Sequence, residues 1–511
     1  MNRRSNVARV WLGVLALACA FAAPAQAQSA TVAQGPMIGA VTPTSAGVWF
    51  RLSAPATVRV RWLAPDAADY TYSDPVTVTP DGDDTGKVAI TGLTAGQAYT
   101  YQVGITGEDG SETWSGAYAF TTIPSAVDHV SFSVLSDFSN KLKGSPALRD
   151  ALAKNPDFLA VIGDLDHRNP ASESKRSYYP KEDAAIVLAD MRAMHRDTRD
   201  FATPIGNDFA TGLIGQPDSG QRQIPLYYGW DDHDFCTNNA GATCPFSEQA
   251  VQAYREYYLW SADNGIDGAN GCPQASTYQR VDYGTLLSVF ILDARSASVG
   301  GKKTTKLGTC QFNWLTQGLA TTQAKWKIVL SPIPFNPTIK TWDAWGSVPT
   351  ERKKLVTFLQ ANHVSNLLFL SGDVHSGGAV DDGTHSNWPE ISVPHANMPD
   401  SWINTFCEMA DHGRSARSEP GLWTIGSLLE PDFEAGAVPS CGGTTLKRNT
   451  NLIFPPVGVY ASTGKGHPGY VRVDVTPTSL SAAVIGADGN PRFGTMADGS
   501  SAPMSVQLTS Q

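Results

Sequence analysis

Nowhere in these 511 residues are two cysteines spaced Cys-x-x-Cys, and beyond the N-terminus no stretch is apolar and long enough to cross a membrane. The first absence weakens a thiolate metal site, whose ligands usually come in such pairs. The second leaves no membrane span in the expected mature chain. Charge is scarce as well: Asp, Glu, Lys and Arg together make up 17%, and the net charge is −10. That balance argues against specific or general nucleic-acid binding, which needs a basic face. An anionic substrate would have to be met by metal ions or by a few arginines. What is present suits a globular chain with many loops: 41% hydrophobic residues, 47 glycines and 33 prolines. A chain of this length exceeds one core, so two or more domains are expected.

The N-terminus reads as a targeting signal over residues 1–27. Arg3 and Arg4 form a basic region, Val10 to Ala23 an apolar core, and Ala25-Gln26-Ala27 a small-residue cleavage site. The apolar stretch is short for a span. The paired arginines also fit twin-arginine export, although Ser5-Asn6-Val7 is not an apolar run. A periplasmic or secreted protein is therefore expected. Of the seven cysteines, Cys19 leaves with the signal. The other six read as disulfides in an oxidising compartment. Pairing in sequence order is expected: Cys236 with Cys244, Cys272 with Cys310, and Cys407 with Cys441.

Residues 31–123 read as a separate β unit. Ala56-Thr-Val-Arg-Val-Arg-Trp62 alternates, and Lys87–Ile90, Tyr99–Val103 and Gly116–Thr122 follow between glycine-rich turns. Short alternating strands at regular spacing predict a β-sandwich. Its segment Thr91-Gly-Leu-Thr-Ala-Gly-Gln-Ala-Tyr-Thr-Tyr101 resembles part of a fibronectin type III-like module. No cluster of catalytic residue types lies within it. Residues 123–127 read as the linker.

From His129 strands and helices alternate. Ser145-Pro146 reads as an N-cap followed by proline at the first helical position. Residues 173–200 read as one or two surface helices, in which Met191, Met194 and His195 are packing or surface residues. Residues 206–223 read as a glycine-rich loop, Glu351–Ala361 as a helix, and 469–485 as a closing β-hairpin.

Four apolar runs in this region each end in Asp or His. Phe158-Leu-Ala-Val-Ile-Gly-Asp-Leu-Asp-His167 is the strongest. Val130 to Ser136 precedes Asp137, Leu226–Trp230 precedes Asp231, Asp232, His233 and Asp234, and Asn366–Gly372 precedes Asp373 and His375. A short continuous apolar run reads as a strand buried on both faces. In open α/β sheets ligands bind at the carboxyl ends of such strands. One polar residue there is an ordinary strand cap. Four such ends predict one crevice lined with oxygen and nitrogen ligands. Asp and His favour Zn, Mn or Fe, and extra carboxylates or Asn can hold Ca or Mg. A shared carboxylate between two ions is the arrangement of two-metal phosphoester hydrolysis. Leu286–Leu292 ends in Asp293-Ala-Arg295, where Arg295 either pairs with Asp293 or faces a phosphate. His385, His395, His412 and His467 read as surface or packing residues of loops, one of which could line a substrate pocket. Trp342 and Trp345 wall that pocket or pack the core.

These blocks resemble a known family. Gly163-Asp164, Asp232-His233 and Gly372-Asp-Val-His375 look like the blocks of calcineurin-like metallophosphoesterases. Trp230-Asp-Asp-His-Asp-Phe235 with Asn238-Asn239 is similar to the alkaline phosphatase D (PhoD-like) family. So are Leu292-Asp-Ala-Arg295, Pro349-Thr-Glu-Arg-Lys-Lys-Leu355 and Leu370-Ser-Gly-Asp-Val-His375. The resemblance covers residues 128–490. It implies an α/β four-layer (αββα) metallophosphoesterase domain behind a fibronectin III-like β-sandwich, acting on small or polymeric phosphoesters outside the cytoplasm. Carried over by position, Asp164 is the bridging carboxylate, Asp231 and Asn238 hold the calcium side, and Asp373 and His375 complete the shell. Asp232 and His233 support the ligands or assist the leaving group. Asp231 and Asp232 compete for the ligand role. The family centre holds iron and calcium. Its cysteine is Asp137 here and its tyrosine is His167, which shifts the expected metals toward Zn, Mn or mixed Fe, with Ca as an alternative. The expected activity is metal-dependent phosphatase or phosphodiesterase action; the alternatives are a non-catalytic metal- or phosphate-binding protein on the same fold, or hydrolysis of another anionic ester.

Overall fold

The computed structural model describes residues 29–139, 142–168, 184–259, 277–299, 305–337, 343–375, 377–383, 386–397, 452–453, 468–495 and 501–510. The targeting signal, Cys272, Trp342, His385, Cys407, His412, Cys441 and His467 lie outside them.

Nine strands build the N-terminal unit: β1 (Val32–Gly39), β2 (Ser45–Leu52), β3 (Ala56–Leu63), β4 (Thr71–Tyr72), β5 (Val76–Val78), β6 (Thr85–Thr91), β7 (Ala98–Thr106), β8 (Glu112–Trp114) and β9 (Tyr118–Thr121). They form two antiparallel sheets, one of β1, β2 and β6 and one centred on β3 and β7. On β3 the alternation works as the sequence suggests. Val58, Val60 and Trp62 turn inward and are buried, while Arg59 and Arg61 are only half-buried.

Two larger sheets follow. One orders β12 (Leu226–Gly229), β11 (Phe158–Ile162), β10 (Val130–Leu135), β20 (Gly469–Val475), β21 (Ser479–Gly486) and β24 (Ser505–Thr509). In it β10, β11 and β12 run parallel, and β20 joins β10 antiparallel. The other orders β13 (Gln279–Tyr283), β14 (Leu287–Ile291), β15 (Trp326–Ser331), β16 (Leu367–Ser371), β18 (Glu390–Ser392), β17 (Ala379–Asp381) and β19 (Leu452–Ile453). Here β14, β15, β16 and β18 run parallel. The expected 469–485 hairpin forms as β20 and β21. Beyond it lie a small pair, β22 (Phe493–Thr495) with β23 (Ser501–Pro503), and then β24 on the sheet edge.

The inner faces of the two sheets share one core. Phe132, Phe158, Ala160, Ile162 and Val471 of the first meet Leu287, Val289, Ile328, Leu330, Leu368 and Leu370 of the second. Because side chains alternate along a strand, Leu159 and Val161 face the other way. There they pack under α1 (Pro146–Ala153), α2 (Ala184–Asp197) and α5 (Ser247–Tyr257). Phe290, Val329 and Phe369 likewise pack under α6 (Gly308–Thr321) and α7 (Pro349–Ala361). Ser145 caps α1 as expected, its side chain accepting a hydrogen bond from the Leu148 N–H with Pro146 next in line. Met191, Met194 and His195 are buried on α2.

One expectation fails. Residues 206–223 are not simply a loop. Helix α3 (Pro204–Phe209) runs into a π-helical turn over Ala210–Ile214. Thr203 caps α3, accepting from the Gly206 N–H at 3.0 Å, and Pro204 opens it.

The N-terminal unit rests on α2 and α5. The Trp49 indole N–H donates to the Glu256 carbonyl at 2.8 Å. Lys87 donates to the Arg255 and Tyr258 carbonyls. Asp83 accepts from Arg196 at 2.8 and 2.9 Å and from the Tyr257 hydroxyl. Behind this seam, the Tyr254 hydroxyl donates to the Tyr228 carbonyl on β12 at 2.6 Å. No helix among the described residues is long and apolar enough to cross a membrane.

Candidate metal centre

The carboxyl ends of β10, β11, β12 and β16 converge, and two glycines let them do so. A Cβ on Gly163 would stand 2.5 Å from the Asp231 Cβ, and one on Gly372 2.4 Å from the Ser136 hydroxyl and 2.9 Å from the Ile162 carbonyl. Immediately beyond the strands the backbone turns left-handed at Asp137 (φ 58°), Asp164 (49°), Asp373 (58°) and His375 (53°). That conformation is unfavourable for residues with a Cβ, by about 1 kcal/mol or more each. Such strain concentrates where side chains must be aimed rather than packed.

Among the described residues two groups of ligand-type atoms result, and Asp164 belongs to both. Asp137, Asp164, His167 and His375 form one; Asp164, Asp232 and His233 form the other. Within each, the ligand-type atoms all lie within 4.8 Å of one another. In the first group His167 Nε2 stands 2.9 Å from Asp164 Oδ2 and 3.4 Å from His375 Nε2, which is itself 3.2 Å from Asp137 Oδ1. His167 Nδ1 is held by the Phe138 carbonyl at 2.5 Å. A donated Nδ1–H fixes the tautomer and turns the Nε2 lone pair toward the group. Among the described residues, both Asp137 carboxylate oxygens and Asp164 Oδ2 are buried with no hydrogen-bond donor beyond these imidazoles. Buried carboxylate oxygens are normally satisfied. Orphaned ones facing imidazole nitrogens fit a cation, so this donor set fits a metal ion.

Electrostatics agree. Burial opposes charge on His167, but Asp164 and then Asp137 outweigh it and hold the imidazole up to about 9. Burial likewise opposes charge on His375, and Asp137, Asp164 and Asp373 lift it to about 10. Asp164 is pushed up by burial, yet His167 and His233 bring it well below the ordinary carboxylate range. These groups attract positive charge, which protons supply when a metal does not. In the second group, burial drives His233 downward, toward the neutral form a ligand needs.

Asp231 stands apart. It caps α4 (Asp232–Phe235), and Asp234 closes a capping box by accepting from the Asp231 N–H at 3.2 Å. Its carboxylate accepts both Nε and Nη2 of Arg295. It lies in neither group, whereas its neighbour Asp232 lies in the second. Asp232 also accepts from the N–H of His233 at 3.0 Å and of Asn239. Asn238 is exposed beside it. Asp373 reaches the centre through His375, 3.6 Å from its Oδ1, and through Arg295. Arg295 follows neither expected reading. Asp293 accepts the backbone N–H groups of Arg295 and Ser296 at 2.9 Å, while the guanidinium goes to Asp231 and Asp343. The Cys236–Cys244 disulfide forms next to this block, and Cys310 is disulfide-bonded as well. Trp345 packs in the core with Phe335. His395 is buried, the packing alternative of the two expected, and is bridged along the backbone to Ser136.

A family model described as PhoD-like phosphatase matches residues 143–393. The chain is 28% identical over 187 residues to alkaline phosphatase D of Bacillus subtilis (strain 168), covering 30% of this chain. A solved structure of PhoD superposes with a TM-score of 0.61 at 17% identity, over 93% of this chain and 90% of that one. Over residues 143–393 the chain belongs to the PhoD-like family. Its match spans only 32% of the Bacillus relative's length. The fold is also similar to that of purple acid phosphatase PPD1 from yellow lupin (Lupinus luteus) seeds, with a TM-score of 0.53 at 14% identity over 94% of this chain and 74% of that one. Ahead of the PhoD-like region, residues 29–120 match a model described only as a domain of unknown function, DUF7800.

Proposed function

We propose that this chain is an exported, metal-dependent phosphoester hydrolase with a dinuclear centre bridged by Asp164. The observation that carries the reading is Asp164 itself, a buried carboxylate common to both ligand groups with one oxygen orphaned. In this reading Asp137, His167 and His375 hold one ion. Asp232 and His233 hold the other, with Asn238 and Asp373 at its edge and Asp231 held back by Arg295. Bound there, a pair of ions supplies Lewis acidity that lowers the pKa of water and neutralises phosphoryl oxygens.

The chain's own contribution is placement. The Phe138 carbonyl orients His167, and the Asn239 N–H orients Asp232. His375 keeps 28% of its side-chain surface exposed, so the centre opens on that side. Asp137 and His167 put a carboxylate and an imidazole where the family has thiolate and phenolate. Such donors suit Zn, Mn or ferrous iron, with Ca as a further candidate, and predict a colourless or weakly coloured protein. The two helix-covered sheets are read as a four-layer αββα domain, and the N-terminal sheets as a fibronectin III-like sandwich exported with it.

Purified protein should hydrolyse p-nitrophenyl phosphate or its bis ester, lose that activity to a chelator, and regain it with Zn or Mn. Metal-loaded protein that hydrolyses neither ester would overturn the hydrolase reading. A strongly purple protein would overturn the metal assignment.

A further inference from the structure

Arg295 is fully buried, and its guanidinium has five N–H donors to satisfy. Nη1 donates to both Asp343 oxygens at 2.7 Å. Nε and Nη2 donate to the two oxygens of Asp231, Nη2 at 2.8 Å. Nη2 also faces Asp373 Oδ2 at 3.5 Å and Asp232 Oδ1 at 3.7 Å. All five donors are thus aimed at four carboxylates, and a phosphate would have to displace one of them. Asp343 Oδ1 also accepts from Lys306, at 3.1 Å.

We propose that Arg295 is a positioning residue acting as a resident cation. Its fork holds Asp231 out of the ion-binding group, and its charge cancels the repulsion that would otherwise splay Asp232 and Asp373. The second ion's ligands are thereby preformed before any ion arrives. Arg is suited to this because its planar fork binds carboxylates bidentately and keeps its charge when buried. The inference rests on the dinuclear reading above.

The test is calorimetric titration of Mn²⁺ into metal-free protein, comparing wild type with R295K and R295M. Steady-state hydrolysis of bis(p-nitrophenyl) phosphate at saturating Mn²⁺ runs in parallel. Residues that orient metal ligands typically change affinity by about 10–100-fold. R295K and R295M should therefore weaken one of the two ions by about tenfold or more. KM should stay within about twofold of wild type, because no substrate contact is lost. D343N frees only Nη1 and should act in the same direction, more weakly. It carries the test if R295M does not fold. Unchanged ion affinities would overturn the proposal, whether KM rises, as for a phosphate-gripping arginine, or does not. Altered ion binding without hydrolysis by the wild type would leave this role standing while removing the hydrolase reading.

Discussion

The centre has two halves built on opposite principles. Around Arg295 every carboxylate meets a donor. Asp231 has its fork, Asp343 has Arg295 and Lys306, and Asp234 accepts the backbone N–H groups of Leu165 and Asp231. A few ångströms away the buried oxygens of Asp137 and Asp164 face the imidazole nitrogens of His167 and His375 instead of a guanidinium or backbone N–H. Leaving one such group unmet costs about 1–3 kcal/mol, more when it is charged. On the reading proposed above, Arg295 supplies the cation on one side, and the oxygens on the other receive one from solution.

The strongest way to break this comparison is at the shared carboxylate. D164N should abolish activity, by roughly a thousandfold or more, and reduce both ions in elemental analysis, since one ligand serves both groups. Activity within tenfold of wild type would remove the bridging role.

A smaller effect appears when the metal is stripped and pH is varied. In the metal-free protein His167 and His375 are raised to about 9 and about 10. A raised imidazole contributes stability that is fully present below its unfolded value near 6.5 and is lost as pH rises through the folded value. Metal-free protein should thus lose stability steadily as pH rises from about 6.5 through about 10. Metal-loaded protein, whose imidazoles are already neutral ligands, should not share that loss. The gap in Tm between the two forms should widen with pH; a gap that stays constant would count against both histidines as ligands.

The smallest expected effect sharpens the boundary between the halves. Cys236 ends α4, and the disulfide closes the loop whose Asn239 N–H holds Asp232. The double variant C236S/C244S should cost about 2 kcal/mol of stability. It should also weaken ion binding on the Asp232 side while sparing the His167 side. Equal weakening of both ions in a titration would show that the loop does not distinguish them.

Much of this was legible in the chain. The apolar runs ending in Asp137, Asp164, Asp231 and Asp373 became parallel strands with those residues just beyond their carboxyl ends, as short runs bounded by Gly, Asp and Asn suit a doubly covered sheet. Ser145-Pro146 announced α1 through purely local capping chemistry. Thr203-Pro204 carries the same signal for α3 and is masked by the glycines that follow. The spacing of Ala250, Ala253, Tyr254 and Tyr257 is the amphipathic signal that marks α5. What the sequence could not decide was Asp231 against Asp232. That choice depends on Arg295, 63 residues beyond Asp232, arriving from the other sheet. The partner of Arg295 was hidden for the same reason: Asp293 is near in sequence, but its carboxylate is spent on backbone N–H groups.

The seam between the N-terminal unit and helix α5 bears on how the gene can be cut. Trp49, Asp83 and Lys87 hold the end of α5, and Tyr254 of that helix braces the strand that delivers Asp231. These contacts make the β unit a splint for the PhoD-like region. A calorimetric scan of the whole protein should show one transition, and a version starting after residue 124 should expose the apolar underside of that seam and aggregate.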